Sequence, residues 1–347
     1  MRLNRSPRRS TTLVSALLIA GVAVAGCSRG GGAGGGGGDE ETATIKFSHV
    51  VTPNTPKGKA AEKFKEIVEE ESGGDITVEI FPNSELYGDE DELQALQSGA
   101  VQMLAPSSAK FTTIAPQLQV LDLPFLFDSV EDIPEVVSPD SVVGKAIYEN
   151  EELADRDMQV LGLWDNGLKQ LSSNDTMKKP ADLKGLRFRI QPSDVLRTQF
   201  QKWTAQTTPM AFAEVYSALQ QGVIDGQENP YSNIESQNMH TVQSDITESN
   251  HGYVGYILVI NKKFLDGLTE DQQKIVTDAA DEASAYNREV AVQTNEDAKQ
   301  VILDAGETTI TELSDAERQA FKDAVVPSVW EQYADVVGQD LLDELLA

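Results

Sequence analysis

The sequence predicts an α/β protein of two lobes, joined by one long helix that spans both. Three observations predict it. Some 305 residues follow a glycine tract, more than one hydrophobic core organises well. Short strand patterns alternate with helical ones, the layout of α/β lobes with largely parallel sheets. A helical pattern runs without proline from Thr269 to Ala305. At ~1.5 Å per residue it is about 55 Å long, too long for one small lobe.

The chain opens with Arg2, Arg5, Arg8 and Arg9, then an apolar run from Thr12 to Gly26. Those 15 residues fall short of the ~20 of a membrane-spanning helix, and the basic flank suits a signal peptide over residues 1–26. The run closes on Val24-Ala25-Gly26-Cys27, which resembles a lipobox. Cys27 would then be lipidated and become the new N-terminus; an incidental cysteine beside an ordinary cleavage site is the alternative. It is the only cysteine, so the processed body would hold no thiol for a disulfide or a metal cluster. Residues 27–42, with glycines through Gly38, are expected to be a flexible tether between a lipid anchor and a soluble body.

In the body, Thr44–Ser48 alternates as a strand and Pro56 opens a helix to about Glu71, with Ala60, Ala61, Phe64, Ile67 and Val68 on one face. Gly73-Gly74 stops it. Strand 76–80, helix 89–98 and strand 101–105 follow, then an apolar turn over 121–127 and a buried strand 160–164. Asn166-Gly167 marks a crossover. The second unit reads as strand 186–190, helices 194–203 and 213–221, strand 223–226, and a polar turn stopped by Pro230. Strand 254–260 returns toward the first lobe. Thr269 and Gln272 cap the long helix as a capping box and Gly306 stops it. A coiled-coil dimer helix is the alternative, but its apolar spacing is irregular. Strand 308–313 and a helix capped by Ser314 and Glu317 complete the chain. The lobes are expected to be 43–166 with 255–294, and 167–254 with 295–347.

Formal charge is -28, and -32 once the four leading arginines are removed. That balance argues against nucleic acid or an anionic membrane surface as a partner of the body. Within it, residues 168–202 carry eight basic and three acidic side chains, a cationic island suited to an anion. Arg187 and Arg189 share one face of strand 186–190. A guanidinium at a strand end can hold a carboxylate through two parallel hydrogen bonds, which lysine cannot imitate. Two solvated arginines are the competing reading. Asp225 and Glu228 form a poor metal pair, since no histidine lies nearby in sequence. With three histidines, no Gly-rich phosphate loop, no nucleophile elbow and no zinc spacing, the chain is not read as an enzyme, and no cofactor is expected.

Two dense blocks, Asp182-Leu183-Lys184-Gly185-Leu186-Arg187-Phe188-Arg189-Ile190 and Met210 to Pro230, resemble the core of one family: the solute-binding subunits of tripartite ATP-independent periplasmic (TRAP) transporters. Within this family, the DctP family, similarity is greatest to the C4-dicarboxylate-binding subgroup. It extends to Phe47-Ser48-His49-Val50-Val51, Asn54-Thr55-Pro56-Lys57-Gly58, Ala105-Pro106-Ser107, Lys110-Phe111, Lys169 before Gln170-Leu171-Ser172, and Ile246 to Gly252.

The resemblance implies a periplasmic-binding-protein-like fold with a ligand cleft between the lobes, outside the cytoplasm. It implies that Arg189 holds the ligand carboxylate, that Asn229 enters the cleft, and that Phe212 packs on the ligand. Partners would be succinate, malate or fumarate, and one small and one large membrane subunit driven by an ion gradient. A four-carbon dianion needs a cation at each end. Lys169 would assist Arg189; Lys57, Lys110 and His49, with Ser107 as a neutral donor, are candidates for the far end. Each of these also reads as an ordinary surface or structural residue. Trp164 is a candidate for the cleft or for the core. A binding protein for another organic acid, an ABC-type binding protein and a sensor module without transport stay open.

Overall fold

A computed structural model describes residues 42–345. The expected signal peptide, Cys27 and all but the last residue of the expected tether lie outside the described residues. Two sheets organise the body. The first has the order β2-β1-β3-β10-β4, from Ala43–Ser48 (β1), Ile76–Phe81 (β2), Met103–Leu104 (β3), Met158–Leu168 (β4) and Tyr253–Asn261 (β10). The second has the order β11-β9-β5-β8-β6-β7. Its strands are Gln170–Ser173 (β5), Arg187–Ile190 (β6), Gln206–Pro209 (β7), Gly226–Asn229 (β8), Asp245–Glu248 (β9) and Thr309–Glu312 (β11).

The sheets are mixed. β1 pairs in parallel with β2 and β3, but β10 enters antiparallel to both β3 and β4. In the second sheet β5 runs antiparallel to β8 and β9. The physical reason is the crossover. β10 comes back from the second sheet, so it meets the first from the opposite end.

Only Lys169 separates β4 from β5, and a short stretch separates β9 from β10. The third passage is the helix Glu270–Ala305, capped by Thr269 and Gln272 and closed by Gly306 at φ 69°. It packs on the helix Pro56–Glu71 and β4 at one end and on the helix Tyr231–Ser236 further along. Its buried stripe is rich in small residues (Ala279, Ala280, Ala283, Ala291, Ala298), which lets it lie close to both lobes.

Helix Pro56–Glu71 starts where predicted: Thr55 accepts from the Gly58 amide, Pro56 sits at the first helical position, and Phe64 and Val68 are fully buried. Three elements differ from expectation. The helix over 89–98 contracts to Glu92–Gln97, because Gly88–Asp91 forms a turn in which the Gly88 amide donates to Asp91 at 3.0 Å. The polar stretch 226–229 is strand β8, not a turn after a strand; its polar side chains are buried and hydrogen-bonded, chiefly to Lys169, Ser172, Asn233 and His251 from other segments. The C-terminal helix is three helices, Asp315–Val325, Ser328–Val337 and Gln339–Leu345, interrupted at Pro327 and Gly338.

Candidate anion-binding site

β6 carries Arg187 and Arg189 toward the same face, and their surroundings separate them. Arg187 is largely solvent-facing and pairs with Asp225 at 3.1 Å. Arg189 is only 2% exposed. Its Nε and Nη2 both donate to the Met210 carbonyl, at 3.0 and 2.8 Å, so one edge of the guanidinium is fixed by a neutral group. Among the described residues it forms no ion pair. Burial lowers its pKa to about 10, with Glu228 and Tyr256 opposing, so it remains a cation at neutral pH.

The segments packed around the first sheet contribute Lys57, from the helix Pro56–Glu71, and Lys110, from the short helix Ser108–Phe111. Lys57 is buried at the start of its helix, donates to the Ala105 carbonyl at 3.0 Å and lies 3.7 Å above the Tyr256 ring. Burial pulls its ammonium down and pushes the Glu92 carboxyl up, while the charges of the two oppose those shifts. Lys110 pairs with Asp89 and, at 2.9 Å, with Glu92. Burial holds Lys110 well below its ordinary value, reinforced by the positive charges of Lys57 and Arg189. Lys110 therefore lies within the electric field of both Lys57 and Arg189. Such a gathering is stable only where negative charge is supplied.

His49 is buried beside them, held to a pKa of about 3 by desolvation and then by Lys57. It is neutral, and its Nδ1 has no side-chain hydrogen-bond partner among the described residues. It serves as a polar neighbour, not as the cation considered from sequence. Ser107 lies at the bridge to Tyr256, with its side chain free of hydrogen bonds among the described residues.

Beneath Arg189, β8 supplies Glu228 and Asn229. Glu228 accepts from Lys169 Nζ at 2.9 Å and from His251 Nε2 at 2.8 Å. Burial would raise its pKa, but Lys169 and His251 outweigh that and hold it at about 2. Desolvation lowers the His251 pKa while Glu228 opposes the shift, and its Nδ1 shares a hydrogen bond of 2.7 Å with the Ser249 hydroxyl. Lys169 is thus committed to a carboxylate. Asn229 donates to Gln227 at 2.6 Å and accepts from Asn233 at 3.0 Å. Phe212 is buried, and its amide donates to Asp89 at 2.6 Å. Trp164 does not join the group. It is fully buried against Phe47, and its indole donates to Ser284 of the long helix at 2.9 Å. A cavity of about 400 Å³ opens beside that helix, lined by Leu168, Asn250, Arg288 and Lys299 among others; no member of the cation cluster lines it.

Sequence reasoning missed Asp89, Glu92 and Tyr256. The acids were hidden because 89–98 reads as one amphipathic helix, and Tyr256 because β10 is apolar on both faces.

This arrangement can be set beside known proteins. The family model described as bacterial extracellular solute-binding protein, family 7 (DctP), matches residues 47–335. The chain belongs to this family. The C4-dicarboxylate-binding periplasmic protein DctP of Rhodobacter capsulatus is 44% identical over 303 residues, 87% of this chain and 90% of that one. A TRAP periplasmic solute-binding protein of Shewanella oneidensis, solved with succinate, superposes with a TM-score of 0.84 at 42% identity, covering 88% of this chain and 98% of that one. One from Pseudomonas aeruginosa, solved with L-malate, gives 0.81 at 39%, covering 84% and 100%. A sugar-acid-binding protein of Advenella mimigardefordensis, solved with galactonate, gives 0.83 at 30%, covering 88% and 97%. The fold is therefore the two-lobed one of TRAP solute-binding proteins, and this DctP-family member is extracytoplasmic.

Proposed function

We propose that this DctP-family protein captures a C4-dicarboxylate, succinate, malate or fumarate, between its lobes and delivers it to the small and large membrane subunits of a TRAP transporter. The observation that carries the reading is Arg189: a buried guanidinium with one edge on a carbonyl and no carboxylate partner among the described residues. Such a group is costly to bury and is satisfied by a bound anion. Lys57, whose charge acts on Lys110 as that of Arg189 does, provides the cation for a second carboxylate. The DctP relative and the neighbours solved with succinate and L-malate support the size and charge of the ligand.

A sugar acid is the second reading, favoured by the galactonate-bound neighbour. The amides speak against it. Gln227, Asn229 and Asn233 are bonded in series, which leaves fewer groups to recognise a row of hydroxyls. In this proposal the lobes are 43–166 with 255–294 and 167–254 with 295–347, hinge closure expels water and strengthens the charge-assisted bonds, and lipid on Cys27 anchors the protein. A thermal-shift series with succinate, malate, fumarate, pyruvate, galactonate and glucose tests it. A ligand at 100 times its Kd should add about 2.7 kcal/mol of stability. A shift with C4 diacids alone is expected; a shift with galactonate alone would replace the ligand class.

A further inference from the structure

We infer that Asp89 is a positioning residue that latches the two lobes and orients Arg189 through the segment Met210–Phe212. The inference rests on the ligand reading above only for its binding readout. Asp89 lies in the turn between β2 and the helix Glu92–Gln97, on the side of the first sheet. That turn is anchored: the Asn83 and Ser84 amides donate to the carbonyls of Val51 and His49, at 3.0 and 3.1 Å, and Gly88 is tied to Asp91. One Asp89 oxygen pairs with Lys110, and the other accepts from the Phe212 amide at 2.6 Å. Phe212 belongs to the second sheet's territory, 123 residues along the chain.

Two residues before Phe212, the Met210 carbonyl holds both Nε and Nη2 of Arg189. A carboxylate on one lobe therefore fixes the short segment that aims the carboxylate-binding guanidinium of the other. The Asp89 side chain is 10% exposed and Lys110 is 7% exposed, so the bond from Phe212 is shielded from water, where a charge-assisted hydrogen bond is strong. Asp89 keeps its pair with Lys110 through its other oxygen when it lets go of Phe212, so opening strands no charge. That is the behaviour a reversible latch needs.

Asp89 could instead be a resident competitor for the ligand carboxylate, and the sign of its removal separates the two. The test compares the wild type with D89A and with D89N, whose amide oxygen still accepts from Phe212 but cannot pair with Lys110. Fluorophores on cysteines introduced at Glu66 and Gln201, with Cys27→Ser, report lobe distance by energy transfer; stopped-flow dissociation of succinate reports the site. The latch predicts lower energy transfer in ligand-free D89A than in wild type and a succinate off-rate about tenfold higher, with D89N between. Thermal unfolding of each variant confirms that it is folded. Unchanged energy transfer, or tighter succinate binding in D89A, overturns the latch. If energy transfer falls as predicted while no variant and no wild type binds a C4 diacid, the ligand reading fails and the latch stands.

Discussion

Two groups of buried cations face one another in this protein, and they are held in opposite ways. On the second sheet, Arg189 rests on a carbonyl and forms no ion pair among the described residues, with Glu228 acting on it only at a distance. On the first, Lys110 is bracketed by Asp89 and Glu92, and Lys57 sits between a carbonyl and the Tyr256 ring. β6 repeats the contrast over two residues, since Arg187 pairs with Asp225 near the surface while the buried Arg189 forms no ion pair among the described residues. Positive charge alone does not make an anion site. What matters is positive charge that the fold has buried and left without a carboxylate.

The largest expected effect follows directly. Arg189→Ala should weaken C4-dicarboxylate binding by about a thousandfold, roughly 4 kcal/mol, because it removes one partner of a desolvated charge pair. Arg189→Lys should still lose about a hundredfold, since an ammonium cannot supply the planar fork and the Met210 carbonyl was set to hold that fork. Calorimetric titration with succinate measures both. Near-wild-type affinity in Arg189→Lys would break the contrast, because the geometry of the guanidinium would then be irrelevant.

The two lysines sharpen it further. Lys57→Met should weaken diacid binding by about thirtyfold with little loss of stability, because among the described residues no carboxylate is hydrogen-bonded to its ammonium. Lys110→Met should do the reverse. It strands Asp89 and Glu92, so several kcal/mol of stability are lost, while affinity changes by about fivefold, through the Asp89 contact to Phe212. Titration and urea unfolding on the same pair of variants separate the outcomes. Equal losses of affinity would mean that Lys110 also reaches the ligand.

Much of this could be read in the sequence, for local reasons. Caps, stops and alternation located the helix Pro56–Glu71, the long helix and most strands, since each signal acts within a few residues. β8 was misplaced because Gly226–Asn229 is polar and buried, and a polar run normally signals a turn. Only partners far along the chain, such as Lys169 and His251 for Glu228, make that strand possible. The site divides in the same way. The charge pattern and the motif singled out Arg189, but nothing local said that Lys169 and Lys110 would be claimed by acids 59 and 18 residues away. Asp89 was invisible for the same reason: its role lies in a contact with an amide on the other lobe.

His49 offers the smallest and most selective test, because its pKa reports the field of Lys57. Folded, it is depressed to about 3, first by burial and then by the lysine; unfolded, it returns to about 6.5. The unfolded chain therefore takes up a proton that the folded chain refuses. The contribution is fully present above pH 6.5 and is lost as the pH falls toward 3. Wild type minus His49→Asn, by urea unfolding at successive pH values, should show stability falling across that window by up to about 1.4 kcal/mol per pH unit. In Lys57→Met the histidine pKa should rise, and the window should shorten from its acid end. The shift is partial, since desolvation is the larger cause. Parallel curves for wild type and His49→Asn would mean that His49 is not held neutral, and with it would go the picture of a first lobe whose free charge resides on Lys57.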